Sequence, residues 1–163
     1  LDSAKMFEID RPLPYEDNQF DLIYSNWVFE HVEFPEAVAR ELLRVLKPGG
    51  YICAITPNKS GYISIASRMI SNKFHTTLLK KIQPQRKEID VFPTHYRLNT
   101  DKQIKRYFGH AAKIVTYTAT GDPAYHFNST LIYGTFKLIH ALSPRWFRPT
   151  LLIFMQKNPV PPA

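Results

Sequence analysis

Three histidines are candidates for removing a proton from a substrate, namely His31, His95 and His126. A lone histidine in a loop more often has a structural role, so a structural interpretation stands beside the catalytic one for each. The six histidines and the single cysteine lack the spacing typical of metal ligands, and no nucleophile elbow or P-loop is present. The sequence therefore predicts no metal site and no covalent mechanism.

The elements that would position such side chains are clearest in the first third of the chain. Residues 20–25 form a short apolar run suited to a buried parallel strand, and residues 35–47 show apolar side chains at helical spacing. A Lys-Pro-Gly-Gly sequence at 47–50 ends this helix, and residues 51–56 form a second apolar strand. Strand, helix, glycine turn and strand predict a βαβ unit with parallel strands and a right-handed crossover.

The later sequence predicts more elements of both kinds. Residues 59–92 are mostly helical in pattern, amphipathic and basic, which is typical of an insert. Thr100 and Gln103 have the spacing of a capping box at the start of a helix that ends at Gly109. The remaining predicted elements are a strand at 113–119, a helix at 129–142, a strand at 150–156 and a proline-rich tail at 158–163.

Charge is unevenly distributed along the chain. Residues 1–58 contain five Lys/Arg and ten Asp/Glu, residues 59–106 eleven and three, and the remainder five and one. A regional positive field can attract an anionic substrate, a membrane surface or nucleic acid, and a solvated surface is the equally weighted alternative.

Composition limits the class of protein. A 44% hydrophobic chain of 163 residues has enough apolar material for one globular domain, and no apolar run is long enough to span a membrane. Cys53 has no partner for an internal disulfide, which favours a reducing, cytoplasmic location. Contact with a membrane surface is a further expectation for the basic, amphipathic segment.

Several short motifs occur in an order that resembles the class I S-adenosylmethionine-dependent methyltransferases of the methyltransferase type 11 kind. They are Leu13-Pro14-Tyr15, Phe20-Asp21-Leu22-Ile23, Glu30-His31-Val32, Arg44-Val45-Leu46-Lys47-Pro48-Gly49-Gly50 and Thr56-Pro57-Asn58. Each motif alone is weak, but the ordered set is specific. The resemblance is strong over residues 8–58 and rests on the order of elements alone over residues 93–157.

The resemblance implies an α/β fold with a Rossmann-like, seven-stranded sheet of order 3-2-1-4-5-7-6, the last strand antiparallel. The chain would hold strands 3 to 7, with a helical insert after strand 5, and ligand would bind at the carboxyl ends of the strands. The implied positions of strands 4 to 7 are 20–25, 51–56, 113–119 and 150–156.

The chain departs from the family where the cofactor loop is expected. No G-x-G sequence occurs, and the first strands and the acidic residue that would hold the ribose are not found. Because the chain begins at Leu1 without a methionine, we expect a missing upstream segment. Without it, strand 4 would be an exposed apolar edge, and we expect the isolated chain to aggregate or remain molten.

The resemblance also assigns binding residues. For the cofactor, Glu8 and Asp10 are alternative partners of the adenine amino group, and Ser25, Asn26 and Trp27 would contact the methionine portion. For the acceptor, the implied contacts are Tyr96, Arg97 and Tyr125, beneath a lid-like segment at 123–149. No residue is assigned as the catalytic base, and His31, His95 and His126 remain candidates.

The function implied is in-line transfer of a methyl group from S-adenosylmethionine to a small-molecule or lipid-like acceptor, which depends mainly on positioning. One alternative is a non-enzymatic partner or binding module. A second is an RNA methyltransferase or RNA-binding protein that uses the basic insert, although nucleic acid is the less expected partner. The sequence leaves the acceptor atom and the oligomeric state open.

Overall fold

Strands and helices alternate in the computed structural model, which describes residues 12–69, 93–121 and 129–159. In chain order the elements are β1 (Phe20–Asn26), α1 (Pro35–Val45), β2 (Leu46–Pro57), α2 (Tyr62–Met69), α3 (Asp101–Phe108), β3 (Ala112–Ala119), α4 (Thr130–Leu142) and β4 (Thr150–Lys157), with 3₁₀ turns at Phe29–His31 and Arg145–Phe147. This succession confirms the predicted α/β class.

The four strands form one sheet in the order β1-β2-β4-β3. β1 and β2 are parallel, with Tyr24 opposite Cys53 and Asn26 opposite Ile55, so the predicted βαβ unit is confirmed. The order equals that of strands 4, 5, 7 and 6 in a Rossmann-like methyltransferase sheet. The fold class is thereby confirmed, while the numbering of these strands within a seven-stranded sheet stays a prediction.

The junction between α1 and β2 differs from the prediction. The sequence predicts a helix to Lys47 and then a glycine turn, but α1 ends at Val45 and Leu46 is already extended. Leu46 is completely buried, which favours the early start of the strand because extended backbone places its side chain in the core. Gly49 has φ of 79°, and the register of the β1–β2 pair shifts beside it. The Lys-Pro-Gly-Gly sequence therefore forms an irregular stretch of β2.

One face of the sheet is packed. Ile52 and Ala54 of β2 and Ile153 and Met155 of β4 are buried, with the period of two that a strand requires. The buried helix residues include Ala39 and Leu43 of α1 and Ile104 and Phe108 of α3. Since both helices bury one side at helical spacing, they form the layer that covers this face.

The opposite face of the sheet is apolar and exposed. Six side chains on it are 45–62% exposed, and they are Leu22, Tyr24, Tyr51, Val115, Tyr117 and Phe154. Tyr117 and Phe154 contact each other edge to face, with ring centroids 6.1 Å apart. No covering layer lies on this face among the residues that the structure describes.

The capping box before α3 is confirmed. The Thr100 hydroxyl accepts a hydrogen bond from the backbone N–H of Gln103 at 3.2 Å. The Gln103 side chain reaches back one residue further than expected, because its Oε1 accepts from the N–H of Asn99 at 3.1 Å. The helix therefore begins where the sequence predicts.

The chain divides into two compact units. The first consists of residues 1–56, 94–117 and 152–163, and the second of residues 57–93 and 118–151. Within the second unit, Nδ2 of Asn58 donates to the carbonyl oxygens of Trp146 at 2.9 Å and Arg148 at 2.8 Å. Gly61 lies so close to this segment that a Cβ would be 2.6 Å from the Arg148 oxygen. Asn58 and Gly61 thus fix the segment before β4.

Part of the predicted organisation lies outside the described residues. The insert predicted at 59–92 is described as far as residue 69, where α2 is helical. Residues 70–92, residues 123–128 of the predicted lid and residues 160–163 of the predicted tail are not among the described ones. The insert, the lid and the tail stay predictions.

Candidate functional site

The carboxyl ends of β1 and β2 lie side by side. The strands are parallel, and Ser25 is opposite Ala54 in their register. In open α/β sheets, ligands bind outside the carboxyl ends of the strands. The carboxyl ends of β1 and β2 are therefore the expected ligand-binding region of the first unit.

The residues at the end of β1 have an unusual local structure. The Oγ atom of Ser25 is buried and has no hydrogen-bond partner within the described structure. Asn26 and Trp27 follow it and are exposed. Trp27 has φ of 54°, in the left-handed region that a bulky residue seldom occupies, and its N–H donates to the Ile55 oxygen at 2.9 Å. Backbone strain of this kind is concentrated at functional sites.

A buried polar cluster connects the turn after β1 with the end of β2. The Thr56 hydroxyl donates to Oε2 of Glu30 at 2.9 Å and accepts from Nδ2 of Asn99 at 2.7 Å. All three residues are at most 5% exposed. Nε2 of His31 lies 3.9 Å from Oε1 of Glu30. A buried carboxylate held in this way fixes the turn that carries His31.

The loop at residues 94–99 is fastened to the same turn. The carbonyl oxygen of Glu30 accepts from the N–H groups of His95 at 2.7 Å and Tyr96 at 3.2 Å. Tyr96 has φ of 53°, and its own oxygen accepts from Nε2 of Gln103 at 3.1 Å. A guanidinium N–H of Arg97 donates to the Glu33 oxygen at 2.6 Å. These bonds hold the loop against the turn after β1.

The structure thus brings part of the predicted site together. Ser25, Asn26 and Trp27 lie at the end of β1, His31 lies in the following 3₁₀ turn, and His95, Tyr96 and Arg97 lie in the loop bonded to that turn. Glu8, Asp10, Tyr125 and His126 lie outside the described residues. The binding and catalytic roles of all these residues stay predictions.

Sequence reasoning missed the buried cluster itself. Glu30 belongs to the Glu-His motif, but its side chain was given no role there. Thr56 and Asn99 are 26 and 43 residues away along the chain from their respective bonding partners. The available signals were weak: a polar residue ending an apolar strand, and an asparagine directly before the capping box.

An ion-pair network fixes the approach to β1. The Arg44 guanidinium contacts Glu41 at 2.8 Å and Asp17 at 2.7 Å and also donates to the oxygens of Leu13 and Tyr15. The hydrogen bond from Arg44 lowers the pKa of Glu41 below its ordinary range, against the opposing effect of burial. The Leu-Pro-Tyr turn is therefore held to α1 before β1 begins.

A second polar contact lies within the second unit. The hydroxyl of Tyr62 and Nε2 of His140 form a hydrogen bond, and burial raises the pKa of Tyr62. The rings of Phe136 and Phe147 lie beside Tyr62. The contact joins α2 to α4.

The described parts of the chain contain no group of three or more His, Cys, Asp or Glu that could hold a metal ion. In the same ranges, no helix is long and apolar enough to cross a membrane.

Comparison with known proteins finds a family model similar to part of the chain. Residues 5–54 match the model of the methyltransferase domain family. A curated relative, an uncharacterized methyltransferase of Schizosaccharomyces pombe, is 49% identical over 41 residues, which are 25% of this chain and 15% of the relative.

Solved structures agree in fold. A methyltransferase from Mesorhizobium loti, described as S-adenosylmethionine dependent, matches with a TM-score of 0.55 and 17% identity over 94% of this chain and 68% of its own. A methyltransferase from Thermotoga maritima, described as S-adenosylmethionine dependent and a possible histamine N-methyltransferase, matches with a TM-score of 0.51 and 11% identity, over 92% of this chain and 61% of its own.

The chain spans well under two thirds of the curated relative's length. Its match to the family model covers the turn before β1, β1, α1 and most of β2, which are the elements that build the candidate site. The family match is confined to residues 5–54, and over most of the chain the likeness to solved methyltransferases is one of fold.

Proposed function

We propose that the protein containing this chain transfers a methyl group from S-adenosylmethionine to a small-molecule or lipid-like acceptor. The observation that carries the proposal is the buried, unpartnered hydroxyl of Ser25 at the carboxyl end of β1, inside the segment that matches the methyltransferase family. A buried polar atom without a partner is costly, and a ligand that hydrogen-bonds it would remove the cost.

The residues at the end of β1 fit the cofactor. Ser25 offers a hydroxyl that can donate or accept, and Asn26 offers an amide beside it. Trp27, held at positive φ by its bond to Ile55, presents a large exposed ring that would exclude water from a bound ligand. When bound, the cofactor supplies a sulfonium whose methyl group is electrophilic.

The loop at 94–99 is the proposed acceptor side. His31 lies in the turn after β1 and His95 in the loop whose N–H groups donate to the Glu30 oxygen. The backbone positions of both histidines are therefore fixed relative to each other. Either could take a proton from an acceptor. Transfer by displacement needs positioning above all, and the bonds of Glu30, Thr56 and Asn99 supply a rigid support for it.

The site needs polypeptide beyond this chain. Among the described strands, β1 is an edge of the sheet, and the exposed apolar face beside it includes Leu22 and Tyr24. Strands buried on both faces are typical of parallel sheets. We therefore propose that further polypeptide of the protein covers this face and supplies the glycine-rich cofactor loop that the chain lacks.

The test is binding of S-adenosylhomocysteine to the intact protein, measured by calorimetry. We expect Ser25→Ala to weaken binding by roughly twofold to tenfold, the value of one hydrogen bond. Ser60→Ala, at an exposed serine, is the matched control and should bind as the unchanged protein does.

Two results would count against the proposal. If the intact protein does not bind S-adenosylhomocysteine, the non-enzymatic interpretation replaces it. If Ser25→Ala binds as tightly as the unchanged protein, the cofactor lies elsewhere.

Loss of methyl transfer in His31→Gln or His95→Gln with binding retained would identify the base.

A further inference from the structure

The helix α4 is apolar on two opposite sides. On one side, Phe136 and His140 contact Tyr62, with ring centroids 6.3 and 5.6 Å apart. Even so, no residue of α4 is buried. The contact with Tyr62 therefore accounts for one side of the helix and leaves the other side to solvent.

The solvent side carries a row of leucines. Leu131, Leu138 and Leu142 are 79%, 60% and 74% exposed. Positions separated by seven and by four residues lie along one line of an α-helix, so the three side chains form a continuous stripe. Trp146, in the 3₁₀ turn that follows, is 63% exposed. An apolar row of this kind is unusual on a surface that faces only water.

The surroundings of the stripe are cationic. The sequence of the second unit, residues 57–93 and 118–151, has ten Lys/Arg and three Asp/Glu, and Lys137 and Arg145 are exposed. The ammonium group of Lys137 lies 5.8 Å from the centre of the Tyr133 ring. Exposed leucines beside a net positive charge complement a surface that is both apolar and anionic.

We propose that α4 and the 3₁₀ turn at Arg145–Phe147 dock on an anionic phospholipid bilayer. The leucine stripe inserts at the boundary between headgroups and acyl chains, Trp146 lies at headgroup level, and Lys137 and Arg145 contact lipid phosphates. The helix has 13 residues, so it lies in the plane of the interface. Binding of this type combines buried apolar area with electrostatic attraction.

Two other occupants fit the same surface less well. RNA would use the cations but would leave three leucines in water. A second copy of the chain would cover the leucines but would bring two cationic surfaces together, which is unfavourable.

Vesicle co-sedimentation of the intact protein tests the proposal. We expect binding to vesicles of phosphatidylcholine mixed with phosphatidylglycerol, and little binding to pure phosphatidylcholine. The triple variant L131Q/L138Q/L142Q should weaken binding by about a hundredfold, since each leucine contributes about fivefold at an interface. The double variant K137Q/R145Q should weaken it by about 25-fold, at about fivefold for each cation.

Matched variants separate the stripe from general effects. T130Q places the same glutamine at the N-terminal end of α4, outside the leucine row, so it should bind as the unchanged protein does. K102Q/K113Q removes two exposed cations of α3 and β3 and should also bind normally. Circular dichroism and thermal unfolding check that each variant is folded.

A fluorescence measurement gives an independent result. Trp146 should shift its emission to shorter wavelength on vesicles and be quenched by brominated lipid, and W146F should lose this response. The proposal is overturned if the triple leucine variant binds vesicles normally. It is also overturned if the protein does not bind vesicles. In that case, RNA binding that depends on Lys137 and Arg145 would identify RNA as the occupant, and self-association that the triple variant abolishes would identify a second copy of the chain.

Discussion

The two faces of the sheet have similar residues and different surroundings. On the packed face, Ile52, Ile153 and Met155 are at most 1% exposed, whereas Tyr24 and Tyr117 on the other face are 62% and 58% exposed. The same strands supply both sets, so the difference arises from the helices. The helix of the βαβ unit, α1, and the helix that follows the capping box, α3, cover one face. The comparison teaches that the described part of this chain holds the sheet and one of its covering layers.

The largest effect should come from the packed face. Phe108 of α3 is completely buried, and Phe108→Ala should lower the free energy of unfolding by about 3–5 kcal/mol because it leaves a cavity. Urea unfolding measures the loss. Tyr117→Ala on the exposed face is the comparison variant, and equal losses would show that both faces are packed in the protein measured.

A smaller loss is expected from the polar cluster on the packed side. Thr56→Val preserves shape but leaves Oε2 of Glu30 and Nδ2 of Asn99 without their bonds to the hydroxyl. The cost should be about 1–3 kcal/mol in thermal unfolding, the value of buried groups left unsatisfied. Thr118→Val, at a half-buried position of β3, is the control. A loss no larger than the control's would show that the cluster is not rigidly held.

The ion pair on α1 should add a stabilisation that depends on pH. Because Arg44 lowers the pKa of Glu41 in the folded state, the contribution is present above the unfolded pKa and is lost as pH falls through the folded pKa. Glu41→Gln should therefore lower the melting temperature near neutral pH and match the unchanged protein in acid. Glu36→Gln, in an exposed pair with Arg40 3.9 Å away, should have little effect at any pH. A constant difference for Glu41→Gln across pH would contradict this origin.

The smallest effect should come from the exposed face. In the intact protein, Tyr24→Ser should lower the free energy of unfolding by less than about 1 kcal/mol if the face is open to water, because the ring is then 62% exposed. A loss several times larger would show that further polypeptide covers that face.

Local patterns explain what the sequence predicted well. The βαβ unit and the cap of α3 follow from spacing within a few residues, as the bond between Thr100 and Gln103 illustrates. The end of α1 was predicted less well because Lys-Pro-Gly-Gly fits both a turn and an irregular strand. Burial of Leu46, which depends on distant parts of the chain, decides between them.

The sequence predicted the part of the candidate site at the end of β1 but not the buried polar cluster of Glu30, Thr56 and Asn99 beside it. Ser25 to Trp27 follow an apolar strand, so their place at the sheet edge follows from topology. The partners of Glu30 come from two distant segments, and the sequence alone has no means of pairing them. The exposure of one face was equally hidden, since Tyr24 and Ile52 are both typical of a buried strand.

The strand order has a consequence for synthesis of the protein on the ribosome. β4 is the last strand of the four to be made, yet it lies between β2 and β3. Until β4 emerges, β3 has no neighbouring strand to pair with, and β2 keeps an open edge. Lys157 of β4 also donates to the carbonyl oxygens of Leu43 and Leu46 at the end of α1. The nascent sheet therefore closes late, and its unpaired edges are open to molecular chaperones while the ribosome finishes the chain.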